Sequence, residues 1–505
     1  MITEEQYQKG LSRVLKDGYI SQIMVILSTG PFLVAYILLL GGSLFIIGLI
    51  AAIPPLCQIC QIFGIRIVEK VRNRRKLSVI FLSCYRICVL MIGLIPFFFM
   101  TNYGLLFLIL LITTQSIFAA LGHTAWASWM HDFLPHEKLG AFFSRRIMLA
   151  TIFSATASVI GGFFVDFWKD NVSKEIYAYS TLFIIAFCFG LVSIWLISKV
   201  PEPEMILPKL HIKLKNVVSE PFRDKNYRNL LIFLICWNFS LNLAAPFFVV
   251  YMLVRLKLSI SIVLLFTALS QISNLVFLQI WGRLSDKFSN KSVLALCSPM
   301  YLFCVLLWPF TTLPEKYILT IPLLIIIHIF TGIAMAGITL SINNISYKLA
   351  PKGKGTNYLA VVTFISSLTL GIAPILGGLF INYFESRELS WTLAWTDPTG
   401  TFSFQTLNLQ GFDFYFIFAF IIGLFSLHRL ALIKEKGEVD NKTMFHELIL
   451  ELGKSIKNFS IVGGFRNLII NPNIVKPKNF KEKLEKEKRT DIYSYKTVKT
   501  NYIKE

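Results

Sequence analysis

Long apolar runs separated by short polar stretches fill the chain up to about residue 433. Runs such as SQIMVILSTGPFLVAYILLL and LLFLILLITTQSIFAALG hold no charged residue, and as helices each is about a bilayer wide. They do not alternate with period two, so helices are predicted and a lipid-facing barrel is not. Helices also satisfy their own backbone groups in hydrocarbon. Twelve spans follow, near 19–41, 44–65, 77–99, 104–130, 147–167, 177–198, 229–253, 260–281, 292–312, 318–346, 357–383 and 413–433. Residues 1–18 carry both charge signs and no early apolar region. They read as an N-terminal segment at the cytoplasmic side, not as a cleaved signal. Residues 434–505 read as a basic, partly disordered cytoplasmic tail, in which MFHELILELGKSIKNF has an amphipathic, surface-lying pattern.

Composition agrees with this pattern. The 505 residues are 55% hydrophobic and 15% charged, against about 25% charged for soluble chains. The net charge of +20 suggests nucleic acid until it is mapped. Lys and Arg number 22 in the loops after helices two, four, six, eight and ten, and 6 in the other loops. By the positive-inside rule the first set is cytoplasmic and both termini are inside, so no nucleic-acid partner is expected. The cell membrane, a bacterial inner membrane, is the expected location.

The chain repeats itself. PFLVAYILL at Pro31 returns as PFFVVYMLV at Pro246, QIFG as QIWG, EKVRNR as DKFSNK, and VIGGFFVDFW as ILGGLFINYF. The offsets are 215, 218, 217 and 216. The expected fold is therefore all-α and polytopic, with two pseudo-symmetric six-helix bundles, 19–198 and 229–433, joined by a cytoplasmic linker, 199–228. Two such halves place a cleft at their interface, and rocking one on the other exposes a midplane site to alternate sides.

The short basic loops carry a resemblance. GRLSDKFSNK is similar to the G-x-x-x-D-[RK]-x-G-[RK]-[RK] signature of the major facilitator superfamily at Gly282, Asp286, Lys287 and Lys291. Ser289 stands where the inner Gly is usual. In the first copy Gly64 and Glu69 are five apart, and Arg72 replaces the inner Gly. The resemblance implies a twelve-helix transporter whose loop acids and bases latch the cytoplasmic side. Glu69 and Asp286 would face a helix N-terminus, and bases such as Arg72 and Arg74 would pair with carboxylates such as Asp132. A second stretch resembles a group of bacterial facilitator transporters through Trp126, Trp129, Asp132, Pro135, Gly140, Phe142, Phe143, Arg145 and Arg146.

Candidate solute contacts are polar groups inside the spans. Arg86 is a charge within the third helix, where insertion costs roughly 2.5–3.5 kcal/mol at midplane. It suggests an anionic or zwitterionic solute. Gln58 with Gln61, and Gln271 with Asn274, are three apart and share a helix face. Thr29, Gln115, His123, Asn238 and Asn242 complete the set. No Asp or Glu falls centrally in the predicted spans, so a proton route would need His123 or His328. Cys57 and Cys60 lie in an apolar run and read as packing residues. No P-loop, zinc-protease or nucleophile motif appears, so neither enzyme nor cofactor is expected. The expected function is movement of a small solute across the membrane by alternating access, by a monomer in the lipid bilayer, with or without a coupling ion. A transporter-like receptor that binds without net transport is the alternative. The external loop 385–411, with its alternating TFSFQTLNL, has a hairpin pattern and no assigned role.

Overall fold

The computed structural model describes residues 3–99, 102–134, 139–172, 174–205, 220–312, 316–351 and 355–458. Among them are twelve helices long and apolar enough to span a membrane. The first half comprises α1 (Glu4–Leu39), α2 (Leu44–Val71), α3 (Arg74–Phe98), α4 (Tyr103–Phe133), α5 (Phe142–Asn171) and α6 (Ile176–Ser198). The second comprises α7 (Lys225–Arg255), α8 (Ile260–Lys287), α9 (Asn290–Thr311), α10 (Thr320–Lys348), α11 (Tyr358–Phe384) and α12 (Phe412–Ala431). The halves meet through α2 against α11 and α5 against α8. Exposed side chains such as Phe167 and Trp195 form the outer belt, which suits lipid as solvent.

Several helices outrun their predicted ends. α1 starts at Glu4, not near 19, so most of the expected N-terminal segment is helix. Thr3 and Gln6 form a capping box there, with reciprocal bonds of 3.3 and 3.1 Å. Leu11 and Val14 bury one face against Trp129, Phe133 and Ile197. Hydropathy misses this part because only one stripe of it is apolar.

The two copies of the repeated phrase fold differently. At Thr29 the backbone is extended, Gly30 takes φ +57°, and α1 restarts with Pro31. Only glycine adopts that φ cheaply, and proline has no N–H to donate. In α7 the matching Pro246 sits inside an unbroken helix, which widens into a π turn over Tyr251–Arg255. In α2, Pro54 and Pro55 precede a 3-10 turn at Gln58–Cys60.

The loops after α2, α4, α6, α8 and α10 define a basic face. The opposite end carries a hairpin of β1 (Glu388–Asp397) and β2 (Gly400–Gln410), antiparallel, with one register shift after Trp391. Asp397 Oδ1 accepts from the Thr399 and Gly400 N–H groups and closes its turn.

On the basic face each half is stopped by an acid four residues beyond its last helix. Glu202 accepts from the Arg74 and Arg75 N–H groups at 2.7 and 3.1 Å. Glu435 accepts from the Lys291 N–H and the Asn290 amide at 2.8 and 2.9 Å. Both carboxylates thus cap the first turn of the half's third helix. The polypeptide then continues as α13 (Asn441–Asn458) along α8 and α9. The tail therefore folds onto the second half as far as residue 458, and 459–505 lie outside the described residues. Ion pairs fasten it: Lys348–Glu435 at 2.9 Å, Lys291–Glu438 at 2.8 Å, Lys287–Glu447 at 2.8 Å and Arg283–Glu451 at 3.3 Å.

This strap carries a pH signature. Burial pushes the Glu438 carboxyl up, but the Lys291 ammonium and the Glu435 N–H outweigh it and hold it below the usual range. A carboxyl lowered in the fold adds stability above its unfolded value, about 4.3, and loses it as pH falls through the lowered one. The melting temperature of Glu438→Gln is expected below wild type at neutral pH, with the gap closing below about pH 4. A gap unchanged at pH 3 would mean that the contact is not ionic.

Candidate functional site

A cavity of about 470 Å³ lies between α1 and α5 of the first half and α8 and α10 of the second. Its wall carries Gln22, Arg146, Thr151, Gln271, Asn274 and Thr331 among others, and Arg146 is its charged group. The amides of Gln22, Gln271 and Asn274 have no hydrogen-bond partner among the described residues.

Arg146 projects from α5 over Gly18 of α1, where a Cβ would stand 2.5 Å from its Nε. Asp17 Oδ2 is 3.6 Å from one guanidinium nitrogen, long for a charge-assisted bond. The Trp126 ring lies 5.1 Å from the guanidinium carbon. The Arg146 Nε is buried and finds no acceptor among the described residues. Asp17 is itself buried, and its Oδ1 accepts from Ser193 Oγ at 2.6 Å. Ser193 Oγ in turn accepts from Arg86 Nη2 at 2.9 Å. The chain Arg146–Asp17–Ser193–Arg86 thus runs from the cavity wall into the bundle, with two guanidinium groups to one carboxylate.

The cavity has one closed end. Towards the hairpin face α2 and α11 touch backbone to backbone, Gly48 against the Pro374 carbonyl and Gly378 against Phe45 Cα. Nearby, the Ser261 N–H donates to Asp166 Oδ2 at 3.2 Å, tying α8 to α5. Towards the basic face no ion pair among the described residues crosses between the halves. A Cβ on Gly282 would meet nothing within 4 Å. Among the described residues the halves are in backbone contact at the hairpin face, and no ion pair joins them at the basic face.

The family model of the Major Facilitator Superfamily matches residues 18–327 and 256–477. This chain belongs to that superfamily. Solved transporters share the fold. The nucleoside transporter NupG superposes with a TM-score of 0.61 at 12% identity, covering 85% of this chain and 100% of that one. The D-xylose-proton symporter gives 0.59 at 13%, covering 86% and 98%. A bacterial metal transporter gives 0.55 at 12%, covering 85% and 98%. No curated protein matches the sequence.

The protein is thus a multi-pass membrane protein of this superfamily, and its expected site residues can be placed within that fold. Gln271 and Asn274 line the cavity. Arg86 is not on its wall. Only 4% exposed, it binds the Gly190 and Leu82 carbonyls at 2.9 and 2.7 Å as well as Ser193, and ties α3 to α6. Gln58 opens the 3-10 turn, Gln61 directly follows it, and their side chains bond to each other. Thr29 returns its hydroxyl to the Val25 carbonyl at 2.7 Å, at the break in α1. Gln115 is buried, with its Oε1 unpartnered among the described residues. His123 is exposed beside Trp126. Asn238 donates to Ser366 and Asn242 to the Asn238 carbonyl, both within the second half. His328 packs between Phe266 and Trp308 and bonds the Leu324 carbonyl.

The loop residues divide in the same way. Arg74, 1% exposed, pairs with Asp132 and Glu202 and bonds the Ser128 and Pro203 carbonyls, all within its own half. Lys287 and Lys291 pair with the strap of the second half. Glu69 and Asp286 are exposed and have no ion pair among the described residues. Gly64 lets α2 approach Thr124 of α4. Arg72 adopts φ +56°, the left-handed conformation that the usual glycine would supply. That costs a non-glycine residue roughly 1–2 kcal/mol. Ser289 instead stays extended and caps α9. Pro135 lies outside the described residues.

Sequence reasoning passed over Asp17, Gln22 and Arg146 as solute contacts. Predicted spans one and five begin at 19 and 147, just past Asp17 and Arg146. The signal was a pair of opposite charges at the same depth in two helices.

A structural Arg86 makes a prediction. Arg86→Gln strips guanidinium donors from three oxygens, two of them in buried contacts, and a buried polar group left without its partner costs about 1–3 kcal/mol. Its melting temperature is expected several degrees below wild type, with solute affinity changed less than by substitutions at Arg146. A variant that melts normally but no longer binds would put Arg86 in the binding site.

Proposed function

We propose that this facilitator is a secondary transporter for a small solute bearing an anionic group, held in the cavity between the halves. The observation that carries this is Arg146, a cavity-wall guanidinium with a long link to Asp17 and a buried Nε without an acceptor. A carboxylate or phosphate of the solute takes up those N–H donors, since guanidinium forks suit such oxygens. Gln22 reads the solute from the first half; Gln271 and Asn274 read it from the second. A ligand touched from both sides draws the halves together. Rocking then opens the hairpin face.

The basic face is read as cytoplasmic from its Lys and Arg excess, which puts both termini inside and makes this an inward-open state. A bacterial inner membrane is the proposed location, and the bundles with their intervening linker act as two rigid rockers.

The test is a thermal-shift panel of anionic, zwitterionic, neutral and cationic metabolites, followed by flux of each hit in proteoliposomes. Anionic or zwitterionic hits that are carried across support the proposal. Hits confined to cations would overturn the solute class. Binding without flux would leave a receptor in place of a carrier.

A further inference from the structure

The hairpin at 388–410 lines no part of the cavity between the halves. In β1 the side chains alternate between faces. Leu389, Trp391, Leu393 and Trp395 therefore share one face, and Ser390, Thr392, Ala394 and Thr396 the other. Trp395 pairs directly across the strands with Phe402, which extends the apolar stripe onto β2. These five large side chains are 53–69% exposed. So large an apolar patch on a folded surface marks a contact.

Three observations choose the contact. The hairpin is tethered at the membrane boundary: β1 starts four residues after the end of α11, and Gly411 alone separates β2 from α12. The Gln410 N–H also donates to Asp413 Oδ2 in the first turn of α12 at 2.9 Å. The stripe continues an existing lipid-facing row, since Ile372, Leu376, Leu379 and Tyr383 recur at helical spacing on α11 and are all exposed. The charge is also wrong for a charged partner. Residues 388–410 hold no Lys or Arg, and their two acids stand at the ends of β1.

We infer that the hairpin lies on the bilayer, with the Trp391–Trp395 stripe at the headgroup–acyl boundary of the adjoining leaflet and the Ser/Thr face in water. Tryptophan favours that boundary because its ring is apolar with one polar N–H. A face without basic groups has no need of anionic lipid. Lying flat, a ten-residue strand extends the footprint of the protein by about 30 Å.

The test uses the full chain in phosphatidylcholine nanodiscs, one protein per disc. Nitroxide labels are placed singly on cysteine at positions 393, 394, 395 and 396, with unsubstituted protein as the blank. Collision with oxygen, which concentrates in lipid, is compared with collision with a water-soluble nickel chelate. The oxygen-to-nickel ratio is expected several-fold higher at 393 and 395 than at 394 and 396. Labels at 394 and 396 leave the apolar stripe intact, so they report even if Trp395→Cys disturbs the hairpin. Equal nickel access at all four positions would place the hairpin in water and overturn the inference. Protection of 393 and 395 from both reagents would mean that protein covers the stripe, and would overturn it equally. Repeating the measurement with two copies per disc then tells self-association from folding back.

Discussion

Arg146→Gln is expected to abolish stabilisation by anionic solutes and to lower their uptake about 10- to 100-fold, the equivalent of losing one charge-assisted hydrogen bond of about 1.5–3 kcal/mol. The substitution keeps the stem as far as Cδ and removes the charge and the fork. It also leaves Asp17 held by Ser193 Oγ at 2.6 Å but without the guanidinium of Arg146 opposite. Arg146→Lys separates the two losses, because lysine restores the charge beside Asp17 without the planar donor pair. Uptake that recovers with Lys means charge alone holds the solute; uptake that stays low means fork geometry does. The checks are the melting temperature with and without each hit, and initial uptake in proteoliposomes. An Arg146→Gln protein that binds and carries its solute normally would sink the proposed site.

Gly48→Leu is expected to shift the conformational equilibrium away from the closed hairpin face. A Cβ at Gly48 meets the Pro374 carbonyl, which is backbone and cannot rotate aside. Overpacking of this kind costs about 1–3 kcal/mol. Charged to one state only, it changes a two-state population about 5- to 150-fold. Spin labels on cysteines at Lys70 and Tyr347, one per half and both exposed at the basic face, should draw closer in Gly48→Leu. A protein that melts earlier with the label distance unchanged would show that this contact adds stability without governing the state.

The spans and the duplication were legible because lipid demands an unbroken apolar run, and because a steady offset survives divergence. The hairpin was legible too, from the two-residue alternation of TFSFQTLNL. The cavity was much less so. A hydropathy boundary falls near the first charge, so Asp17 and Arg146 were left just outside the predicted spans, although the helices run on beyond them. Arg86 drew attention because it lies deep in α3, but depth does not say whether a side chain faces the cleft or a neighbouring helix. Gln58 and Gln61 have the spacing of one helix face, yet Pro54 and Pro55 precede a tighter turn that lets the two amides satisfy each other. The acids that stop each half were hidden for a simpler reason. Arg74 and Lys291 keep the common offset of 217, whereas Glu202 and Glu435 are 233 apart, because the hairpin lengthens the loop between the last two helices of the second half.

Those two glutamates also say where one copy of the duplicated unit ends. Glu202 lies four residues after Ser198, and Glu435 four after Ala431. Each returns to plug the third helix of its own half. Each repeated unit is therefore six helices with a stopper attached. Anyone wishing to express the halves as separate genes should cut after Met205, not at the end of α6. A break at Ser198 would leave the first half uncorked, and one at Ala431 would do the same to the second.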